Sequence, residues 1–169
     1  MIGNFLRTNR WAAVVLTFAR IWLGWSWLKS GWGKVTGGFD ASGFMANAIN
    51  NPVAKGDTIV YPNYVAFLEN FAAPNIDVFN FIVPWGEVLV GLGLILGCLT
   101  TAAAFFGVVM NFAFMFAGTM STNPMMVLIS IFLFVAAANA GRYGLDRWVM
   151  PYLREKIKGL RKDGKSLNT

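Results

Sequence analysis

The sequence contains no histidine and only one cysteine, Cys98. Without histidine the chain lacks a common haem ligand, and the usual ligand sets for zinc, copper and non-haem iron are missing as well. A single cysteine permits neither an internal disulfide nor a CxxC redox pair. We therefore expect no metal and no haem in this chain, and no metal-ligating residues among its candidate site residues.

Charged residues are also scarce. They make up 13% of the chain, while hydrophobic residues make up 56%, and a soluble domain carries about 25% charged residues. Residues 88–141 contain no charged side chain at all. This composition argues against an ordinary soluble domain and predicts an all-α integral membrane protein.

Four apolar segments are long enough to cross a bilayer as helices. Arg20 is the only charge in the first segment and Glu87 the only charge in the second. A turn signal at residues 121–124 and a weaker break at residues 99–101 divide the uncharged run that follows. The sequence therefore predicts one membrane domain, residues 1–169, built as a four-transmembrane-helix bundle. The predicted spans are residues 11–28, 79–98, 101–120 and 124–140.

Positive charge gathers at the two ends of the chain. Arg7 and Arg10 precede the first span, and residues 142–169 hold eight of the fourteen lysines and arginines. Because cytoplasmic segments are enriched in these residues, we predict a multi-pass protein of the cell membrane with both termini cytoplasmic. The basic tail, residues 142–169, is short and follows a hydrophobic protein. This favours anionic lipid over nucleic acid as its partner.

Residues 30–78 form a long outer loop between the first two predicted spans. Two apolar stripes in it have helical spacing, one behind Asp40, a possible N-cap, and one behind Pro62. We therefore predict a partly helical loop, which either packs on the bundle or acts as a functional lid. The stripes are Phe44, Met45, Ala48 and Ile49, and Tyr64, Phe67, Leu68 and Phe71.

Arg20 and Glu87 are the first candidate site residues, because a charge within a span is costly and usually has a partner inside the bundle. Counted from the span ends, the two residues lie at similar depths, which predicts an ion pair between the first two helices. Such a pair could simply set helix register. Alternatively, Glu87 relays protons and Arg20 binds an anion beside a cavity, which makes both residues candidates for catalysis.

Other candidates lie nearby. Lys34 follows the first span in a glycine-rich stretch, which we interpret as a flexible segment able to bind an anion, whereas Lys29 is expected to reach the headgroups. Trp27 and Trp85 belong to an outer aromatic belt and could also wall a quinone ring. Asn111 is expected to bond across helices, as is Asn139.

Glycines recur in the second span. Gly93 and Gly97 form a GxxxG pair, and Gly86 and Gly91 add two small positions. Close helix packing within the chain explains all of them. A homo-oligomer that uses the same surface is the alternative interpretation.

Three blocks of the chain resemble the DoxX/DoxD family of small four-span membrane proteins. They are "RIWLGWSWLKSGWGKV" at residues 20–35, "PWGEVLVGLGLILG" at residues 84–97 and "NAGRYGLDRW" at residues 139–148. The blocks occur in the order that the family has, and the likeness extends over about residues 15–150. The outer loop is similar to that of DoxD-type members.

The resemblance implies a function that the composition does not. DoxD-type proteins are the membrane subunit of thiosulfate:quinone oxidoreductase, which oxidises thiosulfate to tetrathionate and passes the electrons to quinone. On this hypothesis quinone is the electron acceptor and a second oxidoreductase subunit is a partner. Lys34 and Arg20 would bind the thiosulfate dianion and Glu87 would serve as a proton donor. Trp27, Trp85 and Asn111 complete the candidate substrate site.

Two other functions stay open. The chain could be a non-catalytic membrane scaffold that recruits redox or thiol-stress enzymes through its basic tail. It could also bind or export a small molecule through a midplane cavity between Arg20 and Glu87, and it would then need to oligomerise. Because one fold hosts many functions, membership of a family supports the fold more strongly than the reaction.

Overall fold

The computed structural model describes residues 2–166, and the side chains up to residue 157. This part of the chain is almost entirely helical. Its helices are α1 Ile2–Thr8, α2 Arg10–Gly37, α3 Ser42–Asn50, α4 Pro62–Phe67, α5 Ile76–Leu96, α6 Thr100–Phe116, α7 Asn123–Ala136 and α8 Asp146–Ser166. A π-helical turn at Leu68–Ala72 and a 3₁₀ turn at Ala73–Asn75 join α4 to α5, and a second 3₁₀ turn, Ala137–Asn139, extends α7. Two short strands, β1 Ala54–Lys55 and β2 Thr58–Ile59, pair antiparallel.

The four longest apolar helices pack as an up-and-down bundle. Helix α2 lies against α5 and α7, and α6 lies against the same two helices, so α2 and α6 occupy opposite corners. The main core lies between these helices and includes Leu16, Leu23, Trp27, Leu94 and Leu133. The all-α fold is confirmed, and its bundle is the frame on which the candidate site stands.

Helices α2 and α5 make the closest packing in the bundle, because glycines face each other across it. A Cβ on Gly31 would lie 2.7 Å from the backbone nitrogen of Val88, and one on Gly91 would lie 2.6 Å from that of Leu28. No side chain fits at either distance. The expectation that Gly91 serves close packing holds, whereas Gly97 instead ends α5 in the left-handed conformation, at φ 63°.

Helix α2 runs well beyond the predicted end of the first span. The predicted segment stopped at residue 28, but the helix continues to Gly37 and ends at Gly38, where φ is 74°. Lys29 and Lys34 therefore project from a regular helix. The prediction of a flexible glycine-rich segment around Lys34 is wrong, because three of its glycines continue the helical backbone.

The other three bundle helices lie within a few residues of the predicted spans. Two helices of the described chain are long and apolar enough to cross a membrane, namely α2 and the continuous helical stretch 62–96 that contains α5. Helix α6 and the stretch 123–139 are shorter apolar helices. The four-span topology thus stays a prediction, although the helices that it needs are present.

The outer loop folds over one end of the bundle, called here the loop end. The first apolar stripe lies in α3, and the second runs from α4 into the π-helical turn. The two stripes share a second small core built around Met45, Leu68 and Ala72. Asp40 lies just before α3 and accepts hydrogen bonds from the backbone nitrogen and the hydroxyl of Ser42, at 2.9 and 2.7 Å. These bonds lower the pKa of the Asp40 carboxyl.

The end of the bundle opposite the loops, called here the tail end, is joined to the start of the chain. Asn139 donates hydrogen bonds to the carbonyls of Leu6 and Asn9, at 2.7 and 3.0 Å. This matches the interhelical bonding expected for Asn139. The basic tail continues from this end as α8, with exposed Trp148 and Ile157. Leu160 of the tail lies outside the side chains that the structure describes.

Candidate functional site

The buried carboxylate of Glu87 is paired with Lys34. The Lys34 ammonium lies 2.6 Å from each of the two carboxylate oxygens, and it also donates to the hydroxyl of Ser30 at 2.9 Å. The Glu87 side chain is 1% exposed and that of Lys34 is 27% exposed. The pair therefore joins a carboxylate inside the bundle to a cation that reaches its surface.

Two aromatic rings flank the cation. The Lys34 ammonium lies 5.6 Å from the ring centroid of Phe39 and 5.8 Å from that of Phe114. Both distances are within the range of cation–π attraction. Because Phe114 belongs to α6, the contact extends the site from α2 and α5 to α6.

The predicted ion pair between Arg20 and Glu87 is wrong. Glu87 packs beside Gly31 of α2, and Gly31 is eleven residues, roughly 16 Å of helix rise, beyond Arg20. Counting from the predicted span ends put Leu28 at the same depth as residue 79, the start of the second span. In the structure Leu28 instead packs against Gly91. The longer α2 and its glycine contacts shift the register by about three turns.

Arg20 lies at the tail end of the bundle and is 1% exposed. Its guanidinium donates to the carbonyls of Ala140 and Tyr143, at 3.4 and 3.3 Å. Glycines surround it: a Cβ on Gly144 would lie 2.5 Å from Arg20 Nη1, and one on Gly97 would overlap the guanidinium. Arg20 thus joins α2 to the segment that follows α7.

Asp146 completes the tail end. Its carboxylate accepts hydrogen bonds from the backbone nitrogens of Leu99 and Thr100, at 2.6 and 2.9 Å, and so caps the start of α6. Its own backbone nitrogen donates to the carbonyl of Gly97 at 2.7 Å. The third of the sequence blocks therefore has a structural explanation: its Gly and Leu-Asp residues close the bundle around Arg20.

An apolar groove of about 1040 Å³ runs along α5 and α6 beneath the loop helices. Its lining is hydrophobic from end to end, and it includes Phe39 and Phe114, the two rings beside Lys34. Cys98, a free thiol, lies at the opposite end of the groove. The groove thus begins near the tail end and finishes next to the ion pair.

The remaining predicted site residues are dispersed. Trp27 and Asn111 are fully buried between the helices, and neither the Trp27 indole N–H nor the Asn111 amide has a hydrogen-bond partner among the described residues. The interhelical bond expected for Asn111 is thus not formed within the described chain. Trp85 is exposed and contacts Phe81, and it is not part of the groove lining. The structure brings together Glu87 and Lys34, while Arg20 and Trp85 lie apart from them.

Sequence reasoning missed three residues that complete these sites. Phe39 and Phe114 flank the cation, and Asp146 caps α6 beside Arg20. Only Asp146 could have been found from the sequence, since it belongs to the third block that resembles the DoxX/DoxD family. The two phenylalanines are among fifteen in the chain, and nothing local distinguishes them from core residues. Within the described residues, no group of three or more His, Cys, Asp or Glu side chains could hold a metal ion.

Comparison with known proteins gives one match. The model of the DoxX family matches residues 15–120, which is more than half of the chain and includes Arg20, Lys34 and Glu87. No curated protein and no solved structure matches the chain.

Proposed function

The chain belongs to the DoxX family, a family of membrane proteins, and from this premise we propose that it is the membrane subunit of a quinone-linked oxidoreductase. One observation carries the proposal: the Lys34–Glu87 ion pair lies at the end of the long apolar groove. A carboxylate that can hold a proton is thereby set beside a site suited to an apolar ligand.

The groove fits the chemistry of a quinone. An isoprenoid tail needs an apolar channel, and a quinone head is a flat ring with two carbonyl oxygens. The hydrophobic lining along α5 and α6 suits the tail. Phe39 and Phe114 would pack on the ring, and the Lys34 ammonium would turn one N–H from the Ser30 hydroxyl to a carbonyl oxygen of the quinone. The quinone would supply the capacity to accept two electrons and two protons.

The residues of the chain would handle the protons. Glu87 is buried but bound by a cation that is partly exposed, so a proton can reach the carboxylate along Lys34 without opening the bundle. In this role Glu87 holds a proton at a carboxylate oxygen and Lys34 orients that oxygen. The proton role predicted for Glu87 is kept, and Lys34 takes the place of Arg20 as its partner.

We propose thiosulfate as the electron donor, with tetrathionate as its product. Thiosulfate is a dianion, and Lys34 is a cation near the loop end that could attract it. Two thiosulfate ions would each lose one electron and join through a new sulfur–sulfur bond, and the two electrons would pass to the quinone. A second oxidoreductase subunit would accompany this chain, as the resemblance to the thiosulfate enzyme implies.

The enzyme assay that tests this proposal uses membranes in which the chain is produced together with its partner subunit. We expect thiosulfate-dependent quinone reduction, and a loss of that activity in Glu87→Gln and in Lys34→Met. Glu69→Gln is the matched control, since Glu69 is an exposed acid on the outer loop and its replacement should leave the rate unchanged. If correctly folded protein does not reduce quinone with thiosulfate, the thiosulfate proposal is wrong.

We also propose that the bundle crosses the membrane four times, with both termini in the cytoplasm. The single cysteine offers a direct probe. Cys98 lies at the tail end and is partly exposed, so a membrane-impermeant maleimide should label it only from the cytoplasmic face. A Ser42→Cys variant on a Cys98→Ser background moves the thiol to the exposed start of α3 and should be labelled only from outside. The opposite pattern would reverse the orientation.

The scaffold alternative is favoured by one observation. Helix α8 is basic, and it leaves Trp148, Tyr152 and Ile157 exposed, as a helix that binds lipid or another protein would. If recruitment is the whole function, deletion of the chain after Pro151 abolishes the cellular phenotype and Glu87→Gln leaves it intact. The oxidoreductase proposal predicts the loss in Glu87→Gln.

A further inference from the structure

The polar groups that the proposed function leaves unused lie inside the bundle. Five buried side-chain atoms have no hydrogen-bond partner among the described residues, and all five belong to α2 and α6. They are Arg20 Nε, Trp27 Nε1, Thr100 Oγ1, Asn111 Nδ2 and Asn111 Oδ1. These side chains are at most 2% exposed, so the five atoms lie inside the bundle.

Two contacts fix the register between these parallel helices. Trp27 Nε1 lies 3.2 Å from the position of a Cβ on Gly107, and the Lys34 ammonium lies 5.8 Å from the Phe114 ring. Both pairs are 80 residues apart in sequence. Each residue of α2 therefore lies at roughly the level of the residue about 80 positions later on α6, within the reach of these long side chains.

This offset sorts the five atoms into two levels. Arg20 and Thr100 lie at the same height along the bundle, and we call this pair the lower site. Trp27 and Asn111 lie within about one helical turn of each other, and this level is the upper site. Asn111 itself is level with Gly31, which packs against Glu87. The upper site therefore lies next to the carboxylate of the ion pair.

The packing of α5 on α6 supports the same position for Glu87. A Cβ on Gly86 would lie 3.5 Å from the sulfur of Met110, and the residues that follow these two are Glu87 and Asn111. Both of those residues are fully buried, so they turn inward from adjacent positions. These contacts place Glu87, Asn111 and Trp27 at neighbouring levels in the interior of the bundle.

We propose that ordered water occupies both levels. An indole N–H can only donate, whereas a primary amide offers two donors and a carbonyl acceptor. Buried water typically makes about three hydrogen bonds to such groups. In the upper site water accepts from Trp27 and Asn111 and donates to the free lone pairs of Glu87. In the lower site water accepts from Arg20 Nε and donates to Thr100 Oγ1.

An apolar layer separates the two sites. Leu23 lies between Arg20 and Trp27 on α2, Ala104 lies between Thr100 and Gly107 on α6, and Leu94 of α5 joins them in one core. All three side chains are fully buried. The water of the upper site therefore hydrates the side of Glu87 that faces the bundle interior. This hydration does not extend to the tail end. This inference holds whether or not the ligand of the groove is a quinone.

Solid-state NMR of the full chain in lipid bilayers tests the upper site. With ¹⁵N-labelled tryptophan, the indole signal that disappears in Trp27→Phe belongs to Trp27. We expect magnetisation transfer from water to that buried N–H. An assigned Trp27 signal without transfer from water would show a dry site and overturn the proposal for that level.

Thermal unfolding in detergent is the second measurement, with a matched pair of substitutions. Asn139→Leu removes two direct hydrogen bonds and should lower the melting temperature. If water binds Asn111, then Asn111→Leu should lower it as well, because Trp27 then loses its bridging partner. If the site is dry, Asn111→Leu should raise the melting temperature, since the substitution would remove two unpaired polar atoms. A raised or unchanged melting temperature would therefore contradict the upper site.

Thr100→Val tests the lower site in the same assay. The two side chains have nearly the same shape, so the substitution deletes only the hydroxyl. A lower melting temperature is expected if water links Thr100 to Arg20. An unchanged or higher melting temperature would overturn the proposal for the lower site. It would not affect the upper site, which the Trp27 and Asn111 experiments test.

Discussion

Lys34 on α2 and Glu87 on α5 form an ion pair in which one ammonium lies 2.6 Å from each carboxylate oxygen. The two partners differ in their surroundings, because the Glu87 side chain is 1% exposed and that of Lys34 is 27% exposed. The consequences of removing one partner should therefore differ from those of removing the other.

Lys34→Met should destabilise the protein more than Glu87→Gln. Loss of the lysine leaves a carboxylate buried without a partner, which costs about 3–5 kcal/mol, whereas loss of the carboxylate leaves a cation that can reach solvent. The double variant should lose less stability than the two single variants added together. Melting temperatures in detergent at neutral pH measure all three. Additive losses would mean that the two residues do not interact.

Ala113→Trp should block the groove while leaving the ion pair intact. Ala113 lines the groove close to Phe114, and an indole there would occupy space that the proposed quinone ring needs. We expect quinone to bind at least tenfold more weakly, which corresponds to a loss of about 1.4 kcal/mol. Titration of the purified protein with a short-chain quinone measures the affinity. Unchanged binding would place the ligand elsewhere.

Gly31→Ala should destabilise the bundle, and Gly33→Ala should not. A Cβ on Gly31 would lie 2.7 Å from Val88 N and 2.8 Å from Glu87 Cβ, whereas nothing lies within 4 Å of a Cβ on Gly33. Overpacking costs about 1–3 kcal/mol, and alanine at an exposed helical position gains up to about 1 kcal/mol over glycine. The two variants should therefore shift the melting temperature in opposite directions. Equal shifts would argue against the close contact of α2 with α5.

Asp146→Ala should weaken the start of α6. The carboxylate caps two backbone nitrogens, and loss of such a cap costs about 0.5–2 kcal/mol. Asp77→Ala is the control, because Asp77 is an exposed acid in the first turn of α5 and its loss should change stability by less than about 0.5 kcal/mol. Hydrogen exchange of the α6 amides should accelerate in Asp146→Ala only.

Asp40 should make the start of α3 sensitive to acid. Hydrogen bonds from Ser42 lower the pKa of this carboxyl, so its stabilising effect is complete above the ordinary value of about 3.9. The effect disappears as the pH falls through the lower pKa of the folded state. Protection of the α3 amides from hydrogen exchange should drop in that range. In Asp40→Asn the drop should be absent, and a drop of equal size would assign it to another group.

Helix positions along the chain could be predicted because the relevant physics is local. Residues 88–141 have no charge, and the turn at residues 121–124 interrupts them, so α6 and α7 follow from composition and turn chemistry. The loop helices followed from the 3.6-residue spacing of their apolar residues. The end of α2 could not be predicted in this way, since Gly31, Gly33, Gly37 and Gly38 resemble a flexible segment, and only the tertiary structure shows that α5 packs against Gly31.

In the candidate site, too, one residue could be predicted from local sequence and its partner could not. Glu87 could be identified from sequence, because an intramembrane carboxylate is costly wherever it points. Its partner could not, because Arg20 and Lys34 lie on the same helix and only the register of α2 on α5 distinguishes them. That register is set by backbone approach at Gly31 and Gly91, which is a matter of shape between helices far apart in sequence.

By itself, therefore, the sequence determined that the chain is apolar, helical and basic at its end, and that a few polar residues must lie inside it. Bulk hydrophobicity, helical periodicity and the cost of a buried charge depend on residues one or a few at a time. Only the tertiary structure decided that Lys34 pairs with Glu87, that Arg20 closes the opposite end, and that unpaired polar atoms of α2 and α6 share two levels. Those relationships depend on distances between helices, and the side chains that meet across the axis are separated by dozens of residues in the chain.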